Sequence, residues 1–162
     1  MTRASALLAL LFSGAIFGFF YAWVCSTMWG LDATDPRTAI AAMQAMNASV
    51  RNAVFFPAFF LTPVVLAVTA LLAWCDSARP AATAFGLAAL VYFAGGLILT
   101  ATVNVPMNEA LALQTIPDDP EQARAIWTAY SDKWQVYNVI RTIASGVALL
   151  LTGLGLLSLP RA

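Results

Sequence analysis

The side chains best suited to chemistry lie in the second half of the chain, in two short runs. Asn104-Val105-Pro106-Met107-Asn108-Glu109 holds two amides one helical turn apart. Further on, Trp127, Tyr130, Trp134, Asn138, Arg141 and Ser145 recur at intervals of three and four residues. At about 100° per residue these six fall within an arc of roughly 80° on a helical wheel. That stripe is aromatic at one end and polar at the other. Amides and a guanidinium can hold a phenolate or enolate oxygen, and indole rings can stack on a flat ring system. A second stripe, Ile40, Met43, Asn47, Arg51 and Val54, covers a comparable arc. Each stripe therefore carries an Asn and an Arg.

What is missing narrows the chemistry further. The chain has no histidine, which removes His-ligated haem, copper, facial-triad iron and the usual general base. Two cysteines, Cys25 and Cys75, form no cluster for zinc or iron–sulfur. Asp118, Asp119 and Glu121 are close in sequence but read as a helix start rather than a metal site. No glycine-rich phosphate loop follows a strand. The reading therefore expects no metal and no cofactor. Lys and Arg balance Asp and Glu at eight each, so no basic field is offered to nucleic acid.

These side chains must be positioned by helices in a membrane. Hydrophobic residues make up 61% of the 162, and charged residues only 10%, against about 25% charged in a soluble domain. Four apolar stretches, near residues 4–28, 53–74, 81–103 and 139–159, reach the ~20 residues that cross a bilayer. The expectation is an all-α, four-helix transmembrane bundle in a single domain, 1–162. Two helical hairpins carry amphipathic helix extensions on one membrane side, from outer loops 29–52 and 104–138. The first stretch is too long for a signal-peptide core, and Phe17, Phe19, Phe20, Tyr21 and Trp23 stand where small cleavage-site residues belong. Cys25 and Cys75 fall near opposite faces, too far apart for a disulfide, and read as buried apolar thiols. The termini and the 75–80 turn share a side carrying Arg3, Arg79 and Arg161 against one acid, Asp76. Short basic segments favour the inside, which puts both termini in the cytoplasm.

Asp35-Pro36 and Asp119-Pro120 each pair an N-cap oxygen with a proline at the first helical position. Neither following segment meets Gly or Pro until deep in the next span, so each loop helix is expected to run on into a transmembrane helix. Asp35-Pro36, Gln44, Asn47, Arg51 and Asp119-Pro120, Gln135, Asn138, Arg141 then read as an internal repeat, with coincidence as the alternative. Pro106 removes a backbone donor and is expected to loosen the helix end between Asn104 and Asn108, exposing them to a cavity; a plain helix exit is the alternative. Arg51 and Arg141 either point into a polar pocket or snorkel to the headgroups. Gly14/Gly18, Ala82/Gly86, Gly95-Gly96 and Ala144/Ala148 provide small faces for close helix packing and leave room for a homo-oligomer.

Asn104-x-Pro106-x-Asn108 with Trp127, Tyr130, Trp134, Asn138 and Arg141 resembles the anthrone oxygenase-like family of small membrane proteins, mostly bacterial and without assigned activity. Met43-Gln44-x-Met46-Asn47 is similar to the family's segment before its second span. The resemblance implies a four-helix membrane bundle, set in a bacterial inner membrane. For some members it implies oxidation of an anthrone to an anthraquinone by molecular oxygen, without metal or flavin. On this reading Arg141, Asn138, Asn104 and Asn108 are the candidate catalytic residues. Trp127, Tyr130, Trp134, Asn47 and Arg51 are the candidate substrate-binding residues. Glu109 and Asp132 are the acids considered as a base, neither on the mapped stripe. The expected partners are membrane lipid and a small apolar or aromatic molecule. A non-catalytic module that binds or transports such a molecule, or a partner subunit whose stripe is an interface, remains open.

Overall fold

In the computed structural model, which describes residues 1–160, the chain is all-helical, with no strand among the described residues. Four helices are long and apolar enough to cross a membrane: α1 (Thr2–Asp32), α3 (Phe55–Cys75), α4 (Arg79–Ala112) and α5 (Pro120–Leu157). A shorter helix, α2 (Pro36–Ser49), joins α1 to α3. The long helices form a ring in which α1 packs on α3, α3 on α4, α4 on α5 and α5 back on α1. Thr2 donates to Asp76 across 2.6 Å and Arg3 donates to the Pro160 carbonyl, so the N-terminus, the α3–α4 turn and the end of α5 meet at one end. Arg161, also counted toward that end, lies outside the described residues. At the other end α2 and the first turns of α5 form a second apolar layer around Ile40, Met43, Trp127 and Trp134.

The two Asp-Pro pairs cap their helices. Asp35 accepts from the amides of Arg37 and Thr38, and Asp119 accepts from the amide of Glu121. The Arg37 side chain also binds the exposed Asp35 carboxylate and holds it down at about 2. From Asp119 the helix runs unbroken for 38 residues, roughly 57 Å. That is nearly twice a hydrocarbon core of about 30 Å, so the first half of α5 projects beyond it.

The first hairpin departs from the same expectation. α2 ends at Ser49 and does not continue into α3. Asn52 makes the break: its Nδ2 donates to the Ser49 carbonyl at 2.6 Å, and its Oδ1 accepts from the Val54 and Phe55 amides. One side chain thus ends one helix and starts the next. The wheel linking Ile40 to Val54 is broken there; Ile40 and Met43 are buried, whereas Arg51 and Val54 are exposed. The residues matched as a repeat also do different work. Gln44 donates to the Leu111 and Gln114 carbonyls, while Gln135 donates to Asp32.

Pro106 does not loosen α4. The helix continues to Ala112, and π-helical turns at Phe93–Ile98 and Thr100–Asn104 precede the proline. A π turn widens the ladder by one residue and accommodates a missing donor without unwinding. Cys25 and Cys75 are free and lie on the outer helix surface rather than in the interior. Gly14 and Gly18 meet nothing within 4 Å, so that pair packs no helix within the chain. Gly95 does: a Cβ there would lie 2.5 Å from the Ala144 Cβ, which sets how closely α4 approaches α5.

A second proline is handled by a neighbour. Pro63 sits inside α3 and cannot donate to the Phe59 carbonyl one turn back. The buried Tyr92 hydroxyl of α4 donates to that carbonyl instead, at 2.8 Å. Tyr92→Phe leaves the carbonyl without a partner and should cost about 1–3 kcal/mol. In a Pro63→Ala background the helix supplies its own donor, so the same substitution should cost markedly less. Thermal unfolding in detergent of the two single variants and the double variant measures this coupling; equal costs in both backgrounds would refute it.

Candidate functional site

A cavity of about 290 Å³ opens at the end of the bundle away from the termini. At roughly 30 Å³ per water it has space for about ten, near the lower edge of small-molecule sites. α1 contributes Phe19, Phe20 and Trp23; the α2–α3 turn contributes Arg51; α4 contributes Thr100, Asn108 and Glu109; α5 contributes Trp134 and Arg141. The cavity is graded. Arg141 is 5% exposed and forms its inner end. Arg51 and Glu109, with side chains 53% and 59% exposed, form an ion pair of 3.4 Å at its mouth.

Among the described residues Arg141 is the only buried charged side chain. Its Nη2 donates to Asn138 Oδ1 at 2.8 Å and its Nη1 to Thr100 Oγ1 at 3.2 Å. The guanidinium carbon stands 4.6 Å from the centre of the Phe20 ring and 5.2 Å from that of Trp134. Among the described residues no carboxylate pairs with it; the ion pairs are Arg37–Asp35, Arg51–Glu109 and Arg124–Glu121. Its Nε and both amide atoms of the fully buried Asn104 have no hydrogen-bond partner. A desolvated cation with spare donors is a site for an anionic oxygen.

The neighbours hold this geometry. Asn138 Nδ2 donates to the Phe20 carbonyl at 3.2 Å, which fixes its oxygen toward Arg141. Thr100 donates to the Gly96 carbonyl at 2.6 Å, and so presents its oxygen lone pairs to Arg141. Asn108 Oδ1 is a hub: it accepts from Tyr130 Oη at 2.8 Å and from Trp134 Nε1 at 3.0 Å. Asn47 Nδ2 in turn donates to Tyr130 Oη at 3.4 Å.

The candidate residues separate accordingly. Asn47, Arg51, Asn108, Trp134 and Arg141 line the cavity, and Asn138 stands behind Arg141. Asn104 is buried one turn below Asn108 and does not line the cavity. Tyr130 faces a shallow groove with Met107 and Lys133, and reaches the cavity through Asn108 and Asn47. Trp127 is turned elsewhere: its indole nitrogen donates to Asp32 at 2.8 Å, as do Ser131 and Gln135. Asp32 thus ties the end of α1 to α5, a role its sequence position did not disclose. Phe20, Trp23 and Thr100 were also not read as site residues, since within an apolar span their spacing resembles core. Among the described residues no three His, Cys, Asp or Glu side chains converge as metal ligands.

A family profile described as anthrone oxygenase matches residues 46–151. The chain belongs to the anthrone oxygenase family. The match takes in every cavity residue of the α2–α3 turn, α4 and α5, and leaves out those of α1. No curated protein and no solved structure matches the chain.

If Asn108 is the hub, its oxygen matters more than its amide nitrogen. Asn108→Leu strands the Tyr130 hydroxyl and the Trp134 indole and should lower stability by about 2 kcal/mol or more. Asn108→Asp keeps the acceptor and should lose less. Thermal melts of the two variants decide; equal losses would mean that the two hydrogen bonds do not hold the wall.

Proposed function

We propose that the chain is a membrane oxygenase of anthrone-like or phenolic apolar substrates. The observation that carries this reading is Arg141, a buried guanidinium without a counter-ion among the described residues, at the inner end of a largely apolar, aromatic-walled cavity. A tricyclic ketone with an acidic C–H becomes reactive toward molecular oxygen once that proton is lost. The negative charge then resides on its oxygen. A guanidinium in a dry site favours that anion over the neutral ketone. Over the whole reaction one oxygen atom of O2 becomes the new carbonyl. The other leaves as water with the two hydrogens of the former methylene. Trp134, Phe20 and Trp23 supply the stacking faces. Asn138 and Thr100 keep Arg141 aimed.

The membrane is part of the proposal. An apolar substrate partitions into lipid, and a second, apolar groove between α1 and α3 shares Phe19, Trp23 and Phe55 with the cavity wall. Substrate delivery from the bilayer follows naturally. The basic terminal end, with Arg3 and Arg79, favours the cytoplasmic side of a bacterial inner membrane, with the cavity mouth on the opposite face.

The test is oxygen uptake by detergent-purified protein offered anthrone, beside Arg141→Met. Methionine keeps bulk and removes a desolvated charge, but it leaves the buried Asn138 oxygen without its donor. The variant should stay folded with a stability loss of about 1–3 kcal/mol, while kcat/KM falls about 100- to 1,000-fold. Wild-type uptake no faster than the spontaneous rate would reject the oxygenase reading in favour of a binding or transport module. Mass spectrometry of co-purifying molecules would then identify its ligand.

A further inference from the structure

We infer that Glu109 is the general base that takes the proton from the substrate carbon. The inference rests on the oxygenase reading and adds the group that reading lacks. Of the eight acids in the chain, Glu109 is the one that lines the cavity. Asp32 is engaged by Trp127, Ser131 and Gln135, and shares with Asp132 a small polar pocket elsewhere. Asp35 is bound by Arg37. Asp118, Asp119 and Glu121 stand at the start of α5, and Asp76 lies at the opposite end of the bundle beside Thr2. The chain has no histidine, and Lys133 faces the outer groove.

Position supports the role. Glu109 and Arg141 line one cavity from opposite ends, the first half-exposed at the mouth and the second buried. A ring system lying between them would direct its carbonyl oxygen inward and its acidic carbon outward. In the step, the C–H bond breaks and its proton forms an O–H bond with the Glu109 carboxylate. The bond's electron pair moves through the ring and ends on the former carbonyl oxygen, which Arg141 holds. The proton then passes from Glu109 to water at the mouth, which restores the base. Arg51, 3.4 Å away, is a positioning residue that keeps the carboxylate at the rim.

Hydrogen–deuterium exchange at the methylene of anthrone, in D2O without oxygen, reads this step apart from oxygen chemistry. Wild-type protein should speed exchange above the spontaneous rate. Glu109→Gln should lose about 100-fold or more of that acceleration. Glu109→Asp should retain part of it. Arg51→Met removes the ion pair but not the base and should lose far less than Glu109→Gln. Glu121→Gln, distant from the cavity, should match wild type. Thermal melts establish that each variant is folded, which an exposed side chain at the rim should allow. Should Glu109→Gln exchange as fast as wild type while Arg141→Met does not, the base lies elsewhere and the oxyanion site stands. Wild-type protein with neither exchange nor oxygen uptake would overturn the oxygenase reading, and this inference with it.

Discussion

A guanidinium buried among membrane helices is the constraint around which the bundle is arranged. An arginine at the centre of an isolated transmembrane helix costs about 2.5–3.5 kcal/mol even by the mildest scale. Arg141 is buried without a carboxylate among the described residues to offset that cost. Its compensation comes from three helices at once: Thr100 from α4, Asn138 from its own helix, and the ring faces of Phe20 from α1 and Trp134. Desolvated cation–π contacts of this kind are worth about 2 kcal/mol. The Thr100 and Phe20 contacts form only where α1, α4 and α5 converge at one depth. The side chain that is hardest to bury is thus the one that most tightly specifies how the helices meet.

Irregular backbone gathers at the same level. Three π turns, at Trp23–Thr27, Phe93–Ile98 and Thr100–Asn104, fall in the two helices that face Arg141. Two prolines interrupt the hydrogen-bond ladder nearby, and neither break ends its helix. Tyr92 covers the carbonyl opposite Pro63, and the π turn before Pro106 carries α4 through. Lipid allows such breaks only where protein or a cavity satisfies the backbone. Their concentration around the cavity is what a site needing precise wall positions would require.

Hydrophobic runs and helix-start signals made the gross architecture legible. Four apolar stretches and two Asp-Pro caps require little tertiary information, because each signal is local. The buried stripe on α5 was legible for the same reason: period and polarity are properties of one helix. What stayed hidden depends on a partner helix. Nothing near Asn52 announces that its amide will satisfy both Ser49 and Phe55, so α2 and α3 read as one helix. Trp127 and Trp134 look equivalent on a wheel, yet one is captured by Asp32 and the other by Asn108. Their separation rests on which acceptor the facing helix happens to place at each level. Glu109 sits off the α5 stripe and enters the cavity only because α4 stays helical past Pro106.

The choice of amides rather than acids around Arg141 carries the functional argument furthest. Asn138 lies 2.8 Å from the guanidinium, a distance at which an aspartate would form a closed ion pair. An aspartate there would offset the buried charge and also occupy it. Asparagine directs the guanidinium with the same geometry and leaves its charge uncompensated. Asn108, with two donors on one oxygen, likewise shapes the wall without adding a negative charge to the inner cavity. The carboxylate the cavity does contain stands at the mouth, already paired with Arg51. Stability alone would favour an acid beside Arg141. The oxyanion site proposed above would instead favour what is found, a cation held in place by neutral groups.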